Sequence, residues 1–304
     1  MIRLRPQTSA FLMLALVMLL WAGNSIIARA TRDAIPPLTL ALLRWVGALL
    51  VVLPFAWRHL VAERAAITRS WARVLLLGLL GVAAFNAFLY TGLHYTTASN
   101  GLLLQAAIPA LVLVIDLAIF QVRPRAMAVA GVLLSTLGVI FIVFHGRLTA
   151  LADVAFNRGD ALILCGVVAW SFYTSLLRLR PPLHPMSFLG ATFAIGVVTM
   201  LPLAATEWPE ILRIRWTPEV IGAIAYVAVL PSVVAYALFN AAVASIGPAK
   251  SGQAITLMPL FGAFLAAGIL GEPLHGYHLA GMTLILAGIV SPLIAEARVR
   301  RATQ

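Results

Sequence analysis

Charged residues are scarce in this sequence of 304 residues: Asp, Glu, Lys and Arg make up 10% of the chain, whereas hydrophobic residues make up 62%. Soluble domains normally carry about 25% charged residues, so the composition excludes a soluble globular protein. Cysteine occurs once, as Cys165 inside an apolar run, which excludes an internal disulfide and a site built from several thiolates. We expect the Cys165 side chain to serve in packing.

The sequence also lacks the short motifs of intramembrane hydrolysis and of ATP use. No His-Glu-x-x-His, Gly-x-Ser-x-Gly or Gly-x4-Gly-Lys-Ser/Thr string occurs. We therefore expect no metal, no cofactor and no enzymatic activity. An intramembrane enzyme acting on lipid or isoprenoid substrates is the alternative from another functional class, but it needs a nucleophile or metal set that the sequence does not provide.

What the sequence has instead is a series of long apolar runs. A bilayer core about 30 Å thick requires about 20 apolar helical residues, and ten runs fit. The predicted spans are residues 10–31, 36–57, 73–93, 97–119, 126–144, 159–178, 185–205, 218–240, 249–270 and 275–295. The first run is too long for a signal peptide, so we expect an uncleaved helix. The sequence predicts an all-α polytopic membrane protein.

The positive charges indicate how these helices are oriented. The net charge of +11 comes from 21 Lys and Arg, twenty of them Arg, against 10 Asp and Glu. They lie between apolar runs rather than in one cluster, so we interpret them as orientation signals and expect no nucleic-acid partner. With the N-terminus inside, fourteen fall in inner segments and six in outer loops. This bias predicts a cell inner membrane protein with both termini in the cytoplasm.

The ten spans divide into two halves at the long central loop. Five spans per half is an odd number, so halves that share a fold must insert in opposite orientations. The pairs aligned by an offset of 150 residues are Pro109 with Pro259, Gly131 with Gly281 and Gly138 with Gly288. We therefore predict two inverted five-helix repeats, residues 1–148 and residues 149–304.

Few polar residues lie inside the spans, and several recur in both halves. Asn86 and Tyr90 share one face of the third span, and His94 continues that face toward its outer end. Tyr236 and Asn240 repeat the pair in the eighth span with identities exchanged. Such side chains either join helices by hydrogen bonds or line a substrate path. Because the positions recur in both repeats, we favour the substrate path.

Tryptophan lies near the middle of the first helix of each half, together with a polar neighbour. These pairs are Trp21 with Asn24 and Trp170 with Tyr173. Membrane tryptophan is normally enriched at the interfaces, so this depth requires another reason. The two interpretations are a stacking wall for an apolar or aromatic ligand and simple helix packing.

Two prolines mark positions where spans are expected to kink. Gln105 precedes Pro109, and Gln253 and Thr256 precede Pro259, each within about a turn. A kink frees backbone carbonyls for a ligand or a water molecule. We predict that Gln105 and Gln253 belong to the substrate site and that the two prolines act as hinges, the alternative being passive kinks.

Two charged residues within the spans are assigned to the interfaces. Arg44 lies about eight residues from the outer end of its span, so it either snorkels outward or binds a carboxylate, and we favour snorkelling. Asp116 lies near the inner end of the fourth span, and we expect a solvated carboxylate there. The two differ in depth by about a helix length, so we do not expect them to pair.

Short motifs run through both halves of the chain. In the first half they are Trp21-Ala22-Gly23-Asn24-Ser25, Pro37 with Leu43-Arg44, and Ala87-Phe88-Leu89-Tyr90 leading through Tyr95-Thr96-Thr97-Ala98-Ser99 to Pro109. In the second half they are Ala237 to Gly247, Pro259, Gly271-Glu272-Pro273 and Gly281-x6-Gly288. Together they resemble EamA-type members of the drug/metabolite transporter superfamily, and the mid-helix Trp, Tyr, Asn and His positions resemble YddG-like aromatic amino acid exporters. One departure is Gln121-Val122-Arg123, where the family often carries Gly-Glu-Arg or Gly-Glu-Pro.

The resemblance implies ten helices in two inverted repeats and export of amino acids or similar metabolites by alternating access. We expect a small-molecule substrate with an apolar or aromatic side chain, held in a neutral polar site between the halves, and a monomer in the lipid bilayer. The alternative within the superfamily is a multidrug exporter, for which an anionic residue in the cavity is the expected signature. Asp116 is the candidate for that role, and its depth argues against it.

Overall fold

The structure, a computed structural model, describes residues 6–147, 156–270 and 274–302, and all regular secondary structure in these ranges is helical. The predicted boundary between the repeats, at residues 148 and 149, lies outside the described residues, as does the Gly271-Glu272-Pro273 motif.

The first half contains α1 (Pro6–Ala30), α2 (Pro37–Ala62), α3 (Arg64–Arg69), α4 (Trp71–Gly78), a π-helix (Leu79–Ala84), α5 (Phe85–Tyr95), α6 (Ala98–Gln105), α7 (Ile108–Phe120) and α8 (Ala126–Val143). The second half contains α9 (Arg158–Leu176), a 3-10 turn (Leu177–Leu179), α10 (Pro185–Ala205), α11 (Trp208–Ile211), α12 (Pro218–Ala228), a π-helix (Val229–Val234), α13 (Ala235–Ile246), α14 (Pro248–Gln253), a 3-10 turn (Ala254–Leu257), α15 (Met258–Leu270) and α16 (Gly276–Ala302).

Local sequence signals explain where these helices begin. Pro37, Pro185 and Pro218 each occupy the first turn of a helix, where the missing amide hydrogen costs nothing. The start of α9 carries a capping box, in which Asn157 accepts from the Asp160 amide and Asp160 accepts from the Asn157 amide. Polar and proline residues at the loop edges therefore set the helix boundaries within a chain that is otherwise apolar.

Within the described residues, nine helices are long and apolar enough to cross a membrane. They correspond to nine of the ten predicted spans. The remaining predicted span, residues 249–270, is divided into α14, the 3-10 turn and α15. The fourth span is interrupted at the equivalent place, since α6 ends at Gln105 and α7 begins at Ile108. Both breaks lie directly before a predicted kink, at Pro109 and Pro259.

The outer surface of the bundle is apolar, as lipid contact requires. Large hydrophobic side chains such as Leu50 and Val198 are two-thirds exposed on the faces of the spans. Four exposed tryptophans lie where spans end, two at each end of the bundle, namely Trp57 and Trp71 at one end and Trp208 and Trp216 at the other. Such aromatic belts are typical of the membrane–water interfaces.

The two π-helices lie 150 residues apart, at the same place in the third span of each half. A π-helix is rare and frequently accompanies a functional site, because it re-aims side chains and leaves backbone carbonyls free. The π-helices precede the two predicted polar pairs, Asn86 with Tyr90 and Tyr236 with Asn240. The recurrence of the π-helices supports the predicted internal repeat. Hydropathy alone does not reveal the π-helices.

The glycines that align in sequence meet crosswise in space, where α8 packs against α16. A Cβ on Gly131 would lie 2.5 Å from the Gly288 carbonyl oxygen, and a Cβ on Gly138 would lie 2.6 Å from that of Gly281. A two-fold axis in the membrane plane exchanges Gly131 with Gly281 and Gly138 with Gly288. It therefore converts the contact of Gly131 with Gly288 into the contact of Gly281 with Gly138. The contact confirms the inverted repeat and requires residues without side chains on both helices.

A second crossed contact joins α2 and α10. Glu207, after α10, accepts hydrogen bonds from the amides of Leu38 and Thr39 at the start of α2, at 3.1 and 2.8 Å. At the opposite end Glu63, after α2, accepts from the His184 amide at the start of α10, at 3.0 Å. The carboxylate that follows α10 thus caps the start of α2, and the carboxylate that follows α2 caps the start of α10. Both carboxylates lie at the positive end of a helix dipole.

Candidate functional site

A cavity of about 800 Å³ opens at one end of the bundle, between the halves. Its walls come from α1, α2, α5, α6 and α8 of the first half and from α15 and α16 of the second. We call this end, which carries loops 31–36, 96–97 and 144–147, the wide end. The opposite end, with residues 63–70, 121–125 and 180–184, is the narrow end. The cavity passes His94 and Gln105 and reaches inward to Tyr90.

Arg44 lies behind Tyr90 and is 2% exposed, so the predicted snorkelling to the interface is wrong. Its Nε donates to Ser232 Oγ at 2.6 Å, and its Nη1 donates to Asn86 Oδ1 at 2.9 Å and to the Tyr90 hydroxyl at 2.8 Å. Asn24 Oδ1 lies 3.5 Å from the same nitrogen. These neutral acceptors at one depth hold the cation inside the bundle, so the expected uncharged site contains a positive charge.

The π-helix of the second half supplies two of the acceptors around Arg44. Pro231 has no amide hydrogen to give to the Val227 carbonyl, and the Ser232 hydroxyl donates to that carbonyl instead, at 2.7 Å. The Pro231 carbonyl accepts from Arg44 Nη2 at 3.3 Å and from Trp21 Nε1 at 3.0 Å. The helix irregularity therefore turns backbone and hydroxyl oxygens toward the centre.

Each half contains one tyrosine–asparagine hydrogen bond between its first and third spans. The Tyr90 hydroxyl donates to Asn24 Oδ1 at 3.0 Å, and the Tyr173 hydroxyl donates to Asn240 Oδ1 at 2.8 Å. The positions are equivalent, but the residue types are exchanged between the two helices. All four side chains belong to the predicted site. In the first half Arg44 also donates to this pair, at Tyr90, whereas among the described residues the pair in the second half has no equivalent arginine.

A cluster of aromatic rings fills the centre between these two bonds. The Trp21 and Trp170 rings meet edge to face with centroids 5.0 Å apart, and Tyr236 lies 6.0 Å from Trp21. The Tyr236 hydroxyl donates to the Gly81 carbonyl at 2.6 Å and accepts from Asn86 Nδ2 at 3.4 Å. The predicted tryptophans therefore pack against one another beneath the cavity.

The remaining predicted site residues lie at different places. His94 and Gln105 line the cavity, and Gln105 Nε2 donates to the Gly101 carbonyl. Gln253 lies apart from the lining, and its Nε2 donates to the Gly288 carbonyl of α16 at 2.9 Å. Pro259 lines the cavity, whereas Pro109 is buried at the start of α7.

Asp116 is buried, so the expected solvated carboxylate is a further correction. It is 4% exposed, accepts from the Ser175 hydroxyl, and forms an ion pair with Arg178 at 2.5 Å. Ser175 and Arg178 belong to the second half, so this contact joins the halves at the narrow end. Cys165 is exposed on α9 and does not serve in packing as expected.

Sequence reasoning missed Arg44, Ser232 and Arg178 as parts of these contacts. The signal for Arg44 was present as neutral acceptors at matching depth on three other spans. For Arg178 it was an arginine and an aspartate predicted at the same membrane face, one in each half. Within the described residues, no group of three His, Cys, Asp or Glu side chains lies close enough together to hold a metal ion.

Two inverted bundles of membrane-spanning helices with a cavity between them define a multi-pass membrane transport protein. The sequence matches the EamA-like transporter family over residues 8–144 and again over residues 157–292. The chain therefore belongs to the EamA-like transporter family, within the drug/metabolite transporter superfamily.

Individual relatives agree with this assignment. The chain is 28% identical over 285 residues to an uncharacterized transporter of Archaeoglobus fulgidus, covering 93% of this chain and 96% of that protein. It is 24% identical over 296 residues to the uncharacterized inner membrane transporter YedA of Escherichia coli K12, covering 95% and 92%. One solved crystal structure of a protein superposes with a TM-score of 0.76 at 18% identity, over 96% of this chain and 99% of the other. The similarity to that crystal structure concerns the fold alone. The family and the relatives together show that the present chain is a multi-pass inner membrane transporter.

Proposed function

We propose that this transporter exports amino acids with apolar or aromatic side chains, or similar small metabolites, by alternating access. The observation that carries the proposal is the cavity of about 800 Å³, which ends at Tyr90, with Arg44 hydrogen-bonded behind that tyrosine. Cavities of roughly 300–1,000 Å³ that combine apolar walls with a few polar groups are typical of small-molecule sites. Trp21 and Trp170 would contact the apolar part of the substrate, and the amides and hydroxyls beside them would hold its polar end.

The direction of the open cavity follows from the charge bias of the loops. Both described ends of the chain lie at the narrow end, where the arginine-rich segments 58–73, 123–125 and 178–180 also lie. The positive-inside rule assigns that end to the cytoplasm. The cavity then opens to the outside, in the conformation from which an exported substrate leaves.

The reverse conformation requires the narrow end to open. There α7 packs against α14, with Val112 3.3 Å from the position of a Cβ on Gly252. The Asp116–Arg178 ion pair joins α7 to the 3-10 turn that follows α9. Opening must break these contacts between the halves. The interruptions before Pro109 and Pro259 supply the hinges, because two spans without continuous helical hydrogen bonding bend there at little cost.

Counterflow of labelled amino acids into proteoliposomes tests this proposal. We expect uptake of phenylalanine, tryptophan or leucine by the wild type and its loss in the double variant Trp21→Ala, Asn86→Ala. The variant Trp216→Ala, which removes an exposed tryptophan at the membrane interface, is the matched control and keeps the flux. Unchanged flux of every amino acid in the double variant contradicts the site assignment. Competition by cationic dyes would support the multidrug alternative instead.

A further inference from the structure

Arg44 is a buried cation in the middle of the protein, and no residue that the structure describes supplies it with a counter-ion. Its acceptors are the oxygens of Ser232, Asn86, Tyr90 and Pro231, all of them neutral. Arg44 belongs to neither of the ion pairs Arg32–Asp33 and Arg178–Asp116. Removing a charge from water without pairing it is costly, and inside a membrane such residues normally mark a site of function.

Packing of the fold does not require this cation. Thr192 in α10 is the equivalent of Arg44 in α2, at the same distance from the first-turn prolines Pro185 and Pro37. Thr192 is buried as well, and its hydroxyl donates to the Phe188 carbonyl of its own helix at 2.8 Å. The same backbone position is thus satisfied by a neutral residue in one half and carries a charge in the other.

The cation has free bonding capacity next to the cavity. A guanidinium carries five N–H donors, and among the residues that the structure describes one of the two hydrogens on Arg44 Nη2 has no acceptor. Three oxygens compete for the two hydrogens on Nη1, with Asn24 at the longest distance, 3.5 Å. Tyr90 lines the cavity and accepts a hydrogen bond from Arg44 Nη1, so its side chain lies between the cation and the cavity.

We propose that Arg44 binds the carboxylate of the transported substrate, which replaces the Tyr90 hydroxyl on the guanidinium. This inference rests on the proposed transport function and names the substrate class of the same site. A guanidinium matches a carboxylate through two parallel N–H···O bonds, and the pair then supplies the missing counter-ion. Among the lining residues that the structure describes, the arginine is Arg32 at the cavity mouth, where it lies in solvent beside Asp33. The buried positive charge of Arg44 therefore fits a monoanion rather than a phosphate ester.

Thermal unfolding of the detergent-solubilised wild type with three related probes tests the carboxylate directly. L-Phenylalanine has both charged groups, 3-phenylpropionate has only the carboxylate and phenylethylamine has only the ammonium. A ligand that binds the folded state raises the unfolding temperature. We expect stabilisation by the first two probes and not by the third. Stabilisation by phenylethylamine equal to that by 3-phenylpropionate, or no stabilisation by either carboxylate, overturns the proposal.

Variants then locate the carboxylate at Arg44. We expect Arg44→Gln to bind 3-phenylpropionate roughly 10- to 100-fold more weakly, because a hydrogen bond between charged groups is lost. Arg44→Lys keeps the charge without the planar fork and should fall between that variant and the wild type. Arg123→Gln removes an exposed arginine at the narrow end, serves as the control for net charge, and keeps the wild-type affinity. Undiminished binding in both Arg44 variants overturns the proposal.

The outcomes separate this inference from the transport proposal. If carboxylates stabilise the protein through Arg44 but no amino acid shows counterflow, the binding site stands and the proposed function fails. If amino acids show counterflow that Arg44→Gln does not reduce, the proposed function stands and the carboxylate site fails.

Discussion

Replacing Asp116 by asparagine would remove one charge from the ion pair that joins α7 to the second half at the narrow end. Asp116 Oδ2 lies 2.5 Å from Arg178 Nη2, and the side chains are 5% and 25% exposed. The contact exists while the narrow end is closed, and it must break when the halves separate there. The substitution therefore weakens the closed conformation more than the open one.

The size of this effect follows from the burial of the pair. Removing one partner of a fully buried ion pair costs about 3–5 kcal/mol, and of an exposed pair about 0–1 kcal/mol. Arg178 is a quarter exposed and also lies over the Phe120 ring at 4.2 Å, so part of its interaction survives. We expect a loss of about 1–3 kcal/mol, which multiplies the population with an open narrow end by roughly 5 to 150.

A cysteine introduced at the narrow end measures that population. Thr174 is the equivalent of Ser25, which lines the open cavity, and in this conformation Thr174 is fully buried. In a background of Cys165→Ala, which removes the exposed native thiol, we expect the Thr174→Cys labelling rate with a hydrophilic maleimide to rise by the same factor in Asp116→Asn. Labelling of Ser25→Cys should not rise.

Asp33→Asn is the control, because it removes an equal charge at the wide end and leaves the narrow-end contact intact. A rate at Thr174→Cys that is unchanged in Asp116→Asn, or raised equally by Asp33→Asn, would refute the idea that the ion pair holds the narrow end closed.

Three stability predictions follow from the packing, each measured by thermal unfolding in detergent. Gly131→Ala should destabilise the protein by about 1–3 kcal/mol, since its Cβ would meet the Gly288 carbonyl at 2.5 Å, whereas Gly222→Ala, with open space around it, should not. Gln121→Gly should stabilise by about 0.5–1 kcal/mol, because Gln121 ends α7 with a left-handed φ of 54°. Glu63→Ala should cost about 0.5–2 kcal/mol near neutral pH. The nearby Ser187 side chain and the His184 amide lower the pKa of Glu63 from its ordinary value of 4.5. Its contribution is therefore full above about pH 4.5 and is lost as the pH falls through the lowered pKa, where wild type and variant should converge.

Hydropathy and charge bias predicted most of this fold, because lipid restricts a chain of this composition to spanning helices. The repeat was visible at Pro109, Pro259 and the aligned glycines. The contact of Gly131 with Gly288 is not visible in the sequence. Sequence alignment pairs equivalent positions, whereas the two-fold axis here brings non-equivalent positions into contact. The breaks before the prolines were expected as kinks, and the π-helices carry no composition signal of their own.

Depth in the membrane predicts the polar residues of the candidate site, and the two errors, at Arg44 and Asp116, come from treating each charge by itself. The distance of Arg44 from its helix end predicts snorkelling, but this distance ignores acceptors on other spans, including Ser232, 188 residues away. Asp116 differs in depth from Arg44, but Arg178 lies at the depth of Asp116 in the other half. The partners of Arg44 and Asp116 become visible only when the helices are packed together, because a contact depends on the direction in which each span faces as well as on depth.

The two halves differ where a substrate would have to be recognised. Their backbones share π-helices, interrupted spans and crossed glycine contacts, so the symmetric parts account for folding. Under the proposed function they would also account for the two conformations of alternating access. An amino acid has no two-fold symmetry, and groups repeated exactly about the axis would bind either of its ends equally. The exchange of Tyr90 and Asn24 for Asn240 and Tyr173, with Arg44 on one side alone, breaks that equivalence. Under the proposed function, specificity for one end of the substrate would therefore arise from side-chain differences at equivalent backbone positions.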